Sequence, residues 1–233
     1  MIAMCKVCGN DAPLHGVCDF NKSCEIHRGR FFELAGNPVW YRRCATCGFI
    51  FTTYFDRLST DEWKREIYNS EYNQFDPDGA DGSRARANAT RTLDMAHHTG
   101  AAHILDYGGG NGMLARMLIE AHSDCISWDI LLDEGPPPVG PFDLVTAFEV
   151  LEHTPTPIET CGEALSRVRS GGAFLFSTLT LDDLPSQAMD HFYIAPRNGH
   201  VSIHTKDSLR RLFDRFGWRV EHLSDAFHVA RPV

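Results

Sequence analysis

The chain of 233 residues contains no apolar run long enough to cross a membrane. Its first residues, Met-Ile-Ala-Met-Cys-Lys, lack the apolar segment of a secretory signal peptide. It also contains no internal repeat and no low-complexity tail. We therefore expect a cytoplasmic protein with no membrane partner, long enough for one full-size core and a small additional module.

Positive charge is scarce as well. The chain has 22 Lys and Arg against 31 Asp and Glu, and its net charge is -9. Residues 1–57 carry a small basic excess of +2, whereas the remainder carries -11. Nonspecific nucleic-acid binding depends on basic side chains that release counterions. We therefore expect no nucleic-acid partner.

The segment 104–112, Ile-Leu-Asp-Tyr-Gly-Gly-Gly-Asn-Gly, lacks one glycine of the dinucleotide-binding fingerprint. Counted from Gly108, that fingerprint requires glycine at position 113, which is Met113. Gly112 instead makes the spacing G-x-G-x-G. The segment and the helix-period apolar residues after it predict a strand, a tight turn and a helix. Glycine turns of this kind allow a ligand to approach the backbone closely.

Two acids suggest a ligand that has an amino-acid end and a ribose. Asp106 ends the predicted strand and could bind an ammonium group, while the open helix N-terminus could bind a carboxylate. Residues 125–129 predict a second strand, and its Asp129 is placed to accept hydrogen bonds from ribose hydroxyls. A glycine-rich structural turn without a ligand is the alternative. The pattern Asp-x-Gly-x-Gly-x-Gly followed by Asp129 resembles the S-adenosylmethionine site of class I methyltransferases.

This resemblance implies S-adenosylmethionine as cofactor and a Rossmann-like, doubly wound α/β fold with a mostly parallel sheet. In this family the segment before the glycine strand commonly covers the cofactor, and here its candidates are Tyr72, Arg84 and Arg86. The residues expected to contact the cofactor are Asp106, Tyr107, Gly108, Gly109, Gly110, Gly112, Asp129, Ile130, Phe148 and Glu149.

One part of a complete class I domain is shortened. Between Asp129 and the strand predicted at residues 142–148, three consecutive prolines occupy positions 136–138. Such a run cannot form a central strand, so we expect the third strand and its helix to be missing. The adenine-binding acid often found in that region then has only Asp133 as a weak substitute.

Two histidines are candidate catalytic residues. His153 lies just beyond a strand's carboxyl end, where the transferred methyl should lie, and its imidazole could act as a base. It could equally cap the following helix or bond a backbone carbonyl. The second candidate is His200, in a segment that resembles the Tyr-x-x-Pro-x-x-Gly-His pattern of a broad methyltransferase group, in which Tyr193 supplies the tyrosine.

The segment Glu-Val-Leu-Glu-His at residues 149–153 suggests a second possibility. It resembles a segment of ubiquinone-pathway O-methyltransferases, in which the acids and the histidine can hold a divalent ion. The corresponding residues here are Glu149, Glu152 and His153. Many relatives carry the same segment without a metal, so both alternatives stay open.

Six of the eight cysteines lie within the first 47 residues. Cys5 and Cys8 form one C-x-x-C-G knuckle, and Cys44 and Cys47 form another. Four thiolates are the tetrahedral set that structural zinc prefers, and iron is a possible alternative. A reducing compartment favours metal over disulfides. Three further residues that could bind a metal lie between the knuckles, namely Cys18, Cys24 and His27. We interpret them as non-ligands.

The sequence predicts three parts: a zinc-ribbon-like module at 1–57, a helical linker or lid at 58–98, and an S-adenosylmethionine-binding domain at 99–233. The predicted function is methyl transfer to a small-molecule or glycoconjugate acceptor, with the methylated atom and the oligomeric state left open. The alternatives are a non-catalytic cofactor-binding scaffold and a nicotinamide-dependent oxidoreductase. The position of Met113 argues against the oxidoreductase.

Overall fold

The computed structural model describes residues 3–183 and 189–233. Its strands are β1 Ala3–Met4, β2 Asp11–Ala12, β3 Leu14–Asp19, β4 Pro38–Arg43, β5 Ile50–Thr52, β6 His103–Tyr107, β7 Asp124–Trp128, β8 Phe142–Phe148, β9 Val168–Ser177, β10 Ser202–Ile203, β11 Trp218–His222 and β12 Phe227–Pro232. Its α-helices are α1 Thr60–Glu66, α2 Pro77–Ala80, α3 Ser83–Thr99, α4 Met113–Glu120, α5 Pro157–Leu165 and α6 Lys206–Asp214. Short 3₁₀ helices are Cys24–Arg28, Tyr72–Gln74 and Pro196–Asn198.

A six-stranded sheet in the order β11-β12-β9-β8-β6-β7 forms the centre of the protein. Strands β7, β6, β8 and β9 are parallel, and β12 and β11 are antiparallel. Alternate residues of β6 face opposite layers, because Ile104 packs with α3 and α4 whereas Leu105 packs with α5 and α6. Helices on both faces of a mostly parallel sheet confirm the predicted α/β fold class.

The sheet ends at β7 on one side. The connection from β7 to β8, residues 129–141, is fully described and contains neither a helix nor a strand. The predicted shortening of the third-strand region is therefore confirmed. As a consequence, the loop that starts at Asp129 lies at the outer edge of the sheet, next to the glycine turn.

A second, antiparallel sheet has the order β10-β5-β4-β3. Strands β3, β4 and β5 belong to the front of the chain, but β10 comes from near its C-terminal end, where Ile203 pairs with Ile50. This sheet therefore crosses the boundary expected near residue 57, and the division into three parts stays a prediction. Within the described residues, no helix combines the length and apolarity needed to span a bilayer.

Candidate functional site

The turn between β6 and α4 requires its glycines. Gly108, Gly110 and Gly112 have φ angles of 73°, 54° and 71°, which side chains rarely adopt. Gly109 is restricted by space, since a Cβ there would lie 2.1 Å from Ser127 Oγ. A side chain at position 109 would therefore collide with β7, whereas Gly110 has open space around it and lines a cavity.

Asp106 lies beneath this turn as a buried carboxyl group. Its Oδ1 accepts a hydrogen bond from Thr146 Oγ1 at 3.0 Å, whereas its Oδ2 has no well-formed hydrogen bond. Burial raises the pKa of Asp106 to about 7. An uncompensated buried carboxylate is costly, so a cationic group such as an ammonium would stabilise its charged form. The side chain therefore fits the predicted cofactor contact.

Asp129 connects the turn to the loop after β7. Its Oδ2 accepts a hydrogen bond from Gly110 N at 3.0 Å, and its Oδ1 accepts one from Leu131 N at 2.8 Å. Each carboxylate oxygen can accept a second hydrogen bond. Asp133 is used within the same loop, since its Oδ2 accepts a hydrogen bond from Asp129 N at 2.6 Å. Ile130 is exposed beside them.

Two adjoining cavities lie at the carboxyl ends of the parallel strands, where α/β folds bind ligands. The first encloses about 440 Å³ and the second about 270 Å³, and Gly108 lines both. The first is lined by Tyr72, Asp76, Arg84, Asp106, Gly108, Gly109, Gly110 and Phe148. The second is lined by Trp63, Tyr68, Tyr107, Asp129, Ile130, Glu149, Val150 and His153.

Part of the wall comes from the segment before α3. Arg84 forms a bidentate pair with Asp76, at 2.7 and 3.0 Å, and both side chains line the first cavity. Tyr72 lines it too, whereas Arg86 does not. Asp76, which was not among the predicted site residues, thus lies in the wall of the first cavity. In the sequence, Asp76 is visible only as the residue before a Pro-Asp-Gly turn, and no feature there links it to Arg84.

Tyr107 and Glu149 are predicted to contact the cofactor, but their polar groups form hydrogen bonds with other side chains of the protein. The Tyr107 hydroxyl donates to Glu163 Oε2 at 2.8 Å, so only its ring faces the second cavity. Glu149 accepts a hydrogen bond at Oε1 from Ser177 Oγ at 2.6 Å. Its backbone has a φ of 55°, a strained value for a residue with a side chain. Such strain is frequent at functional sites, and here it shapes the loop before His153.

His153 and His200 lie together, although 46 residues separate them in the chain. Their ring centroids are 4.9 Å apart. His153 Nδ1 lies 3.2 Å from Gly199 O, and His200 Nδ1 lies 2.9 Å from Tyr193 O. A ring nitrogen that faces a carbonyl carries the proton, which leaves each Nε2 with a free lone pair. His153 thus bonds a backbone carbonyl and still retains an accepting nitrogen.

Burial also fixes the charge state of this pair. It lowers the pKa of His153 to about 4 and that of His200 to about 3. Both imidazoles are therefore neutral near pH 7, the form that accepts protons and binds metals.

Glu152 completes the cluster. It is fully buried, its Oε1 accepts a hydrogen bond from the Tyr193 hydroxyl at 2.7 Å, and its Oε2 has no partner. Burial raises the pKa of Glu152 well above its ordinary value. Ligand atoms of Glu152, His153 and His200 all lie within 4.8 Å of one another. Two imidazoles and one carboxylate suit a divalent metal, and this set includes His200 instead of Glu149.

The family model described as a methyltransferase domain matches residues 80–223, which is more than half of the chain. The chain belongs to this methyltransferase family. The family assignment made from the glycine turn and its acids is thereby confirmed. The match begins inside α2, so the front of the chain, with its cysteines, lies outside it.

Relatives and solved structures agree with this assignment. Ubiquinone biosynthesis O-methyltransferases of Methylococcus capsulatus and Idiomarina loihiensis are each 28% identical over 45% of this chain. The matches span 56% and 55% of these relatives, little more than half of their length. The structure of the mitomycin 7-O-methyltransferase MmcR superposes with a TM-score of 0.56 at 16% identity, covering 76% of this chain and 61% of that one. This last likeness supports the class I fold.

In front of the methyltransferase domain, the four knuckle cysteines converge. Their sulfurs lie within 4.8 Å of one another, with Cys5 and Cys47 at 3.7 Å and Cys8 and Cys44 at 3.4 Å. Sulfurs placed tetrahedrally at about 2.3 Å from one zinc ion would be about 3.8 Å apart, so the set fits zinc. Backbone N–H groups also point at the sulfurs, as Val7 N does toward Cys5.

The other candidate metal ligands of residues 1–57, a segment called the front module below, lie outside this set. The side chains of Cys18, Cys24 and His27 do not join the cluster formed by the four knuckle cysteines. Cys24 Sγ instead lies 3.8 Å from His200 Nδ1, and the His27 ring packs on Phe192 at 5.1 Å. Cys24 therefore belongs to the surroundings of the catalytic candidates.

The cysteine geometry predicts one tightly held zinc ion per chain. Cys44→Ser should lose it and lower the melting temperature by at least about 10 °C, because binding of structural zinc contributes directly to folding. Elemental analysis and thermal unfolding measure both effects. Cys18→Ser is the matched control and should retain the metal. Full metal content in Cys44→Ser would contradict the assignment, and iron in place of zinc would identify the other metal considered.

Buried histidines make the stability of the domain depend on pH. Burial lowers the pKa of His200 and His204 to about 3 and that of His228 to about 4. The unfolded chain, with histidine pKa values of about 6.5, binds more protons below that pH, so stability falls as the pH decreases. We expect a loss of about 1.4 kcal/mol per histidine at pH 5.5. Thermal unfolding from pH 7.5 to 5.5 tests this, His228→Gln should reduce the slope, and a flat profile would contradict it.

Proposed function

We propose that this protein transfers the methyl group of S-adenosylmethionine to a small-molecule or glycoconjugate acceptor. The observation that carries the proposal is the glycine turn with an acid on each side of it. Asp106 lies buried beneath the turn, and its Oδ2 has no well-formed hydrogen bond, whereas the carboxylate of Asp129 accepts a hydrogen bond from Gly110 N. The two cavities share Gly108, and the second of them reaches His153. The acidic body of the chain argues against a nucleic-acid acceptor.

The residues present fit this cofactor. The Asp106 carboxylate would bind the ammonium group, and the N-terminus of α4 would favour the carboxylate. Asp129 would accept hydrogen bonds from the ribose hydroxyls, beside Ile130 and Glu149 on the wall of the second cavity. When bound, the cofactor supplies an electrophilic methyl group.

The chain's own residues would supply positioning and a proton acceptor. The neutral His153 has a free Nε2 and can take the proton that the acceptor loses on methylation. His200 packs against it, and Tyr193 holds the neighbouring Glu152 by a hydrogen bond. Enclosure by Trp63 and Tyr68 would keep the acceptor and the base in contact.

A divalent ion held by Glu152, His153 and His200 is a second candidate for this centre. The unpaired Glu152 Oε2 favours it, since metal binding would satisfy that oxygen. The ion would orient an acceptor oxygen. A second metal per chain that disappears in Glu152→Gln but stays in Cys44→Ser would support this arrangement, and its absence would leave His153 as the base.

The assay that tests the function is formation of S-adenosylhomocysteine on incubation with S-adenosylmethionine and acceptor panels. The panels should include hydroxylated aromatic compounds and sugar nucleotides. Product formation that depends on one acceptor class would support the proposal and name that class. Cofactor binding without product on any panel would favour a non-catalytic scaffold, and affinity for NAD would favour an oxidoreductase.

A further inference from the structure

The backbone that carries His200 is held by the front module. The hydroxyl of Tyr41, a fully buried residue of β4, donates to His200 O at 2.7 Å. One residue further along the chain, Thr52 N in β5 donates to Val201 O at 3.1 Å. The β5–β10 pairing then continues with Phe51 opposite Ser202. His200 thus begins the segment that leads into β10. This strand is the edge of the sheet β10-β5-β4-β3, called the front sheet below.

The opposite side of the same segment is bonded to the loop that contains His153. Val201 N and Ser202 N both donate to Glu152 O, at 2.8 and 3.0 Å. Ser202 Oγ donates to Thr154 O at 2.6 Å. The segment is therefore fixed between the front sheet and the loop of residues 152–154. Its placement sets the distance between the two histidine rings.

The contacts that fix this segment continue from β5 to the four-cysteine site. Thr205 Oγ1 donates to Cys47 O at 2.5 Å, and Cys44 N donates to Phe49 O at 2.8 Å. Gly48 is packed so closely that a Cβ there would lie 2.9 Å from Thr205 Cγ2. The second knuckle thus contacts Thr205, the second residue after β10, and leads directly into β5.

We propose that Tyr41 is a positioning residue for His200 and that the four-cysteine site keeps the sheet containing Tyr41 fixed against the catalytic loop. The first half rests on the proposed function, because it assigns His200 a place beside the reacting groups. The second half concerns only the front module and the segment 200–205, and it holds whether or not the acceptor is known. Residues 1–57 then influence catalysis through the position of His200.

The first test compares Tyr41→Phe with Trp40→Phe. Phenylalanine preserves the packing of Tyr41 and removes only the hydroxyl, whereas Trp40 is 52% exposed and serves as the control in the same strand. We expect Tyr41→Phe to lower kcat about 10-fold with an unchanged KM for S-adenosylmethionine, and Trp40→Phe to do neither. A kcat equal to that of the wild type, or equal losses in kcat and cofactor affinity, would overturn the positioning role.

The second test is hydrogen exchange of the zinc-loaded protein before and after chelation. We expect faster exchange at Thr52, Val201 and Ser202 after metal removal, while the glycine turn at 106–112 keeps its protection. Three results would overturn the role proposed for the four-cysteine site: unchanged exchange at Val201 and Ser202, uniform loss of protection, or failure to take up zinc. This readout needs no turnover, so it separates failure of this inference from failure of the proposed function.

Discussion

Asp129→Ala is expected to weaken binding of S-adenosylmethionine by at least about 100-fold. The side chain already orients Gly110 N, and its remaining lone pairs are proposed to receive two ribose hydroxyls. Hydrogen bonds to a charged group contribute about 1.5–3 kcal/mol each, so losing two of them costs about 3 kcal/mol or more. Calorimetric titration of the two proteins under the same conditions measures the difference directly.

Asp124→Ala is the matched control for this substitution. Asp124 begins the same strand, β7, but its side chain is exposed and faces His103 at the opposite end of the sheet. It should bind the cofactor as the unmodified protein does. If Asp129→Ala bound within about threefold of the unmodified protein, the ribose assignment would be wrong. If both variants weakened binding equally, the effect would reflect β7 in general.

The second large effect is expected from His153→Asn. Asparagine can still donate to Gly199 O, as Nδ1 does, but it removes the accepting Nε2. Loss of a positioned base typically lowers kcat by about 10²–10⁴-fold, and affinity for S-adenosylmethionine should stay unchanged. Steady-state kinetics combined with cofactor titration measures both. His98→Asn, at the exposed end of α3, is the control and should retain full activity.

The pH dependence of kcat tests the charge state assigned to His153. Because burial lowers the pKa of His153 to about 4, its base form persists throughout the neutral range. Between pH 5.5 and 8, where the fold is retained, kcat should therefore show no acid limb near pH 6.5, and such a limb would contradict the lowered pKa of His153. An unchanged kcat in His153→Asn, or a parallel loss of cofactor affinity, would show that His153 only supports the loop.

The central part of the fold could be predicted because its signals are local. The acid, glycines and helix-period apolar residues of 104–118 lie next to one another in the chain, and they specify β6, the turn and α4. The three prolines at 136–138 exclude a further central strand by their chemistry alone. Both features depend on neighbours in sequence, where pattern reasoning is strongest.

Contacts between distant parts of the chain could not be predicted in the same way. Strand β10 has two residues and pairs with β5, about 150 positions earlier, so neither length nor periodicity indicates it. The pairing of Asp76 with Arg84 over the first cavity, and the place of Trp63 in the second, depend on how the segment before α3 folds back. Likewise, His200 was named as a candidate only by resemblance, and nothing in the sequence indicated that it lies beside His153.

The most direct test of the account is calorimetric titration of the purified protein with S-adenosylmethionine, S-adenosylhomocysteine and NAD. The geometry of Asp106, the glycine turn and Asp129 predicts that both sulfur compounds bind at one site and that NAD does not. Binding of NAD in their place, or no binding of either sulfur compound, would contradict the account.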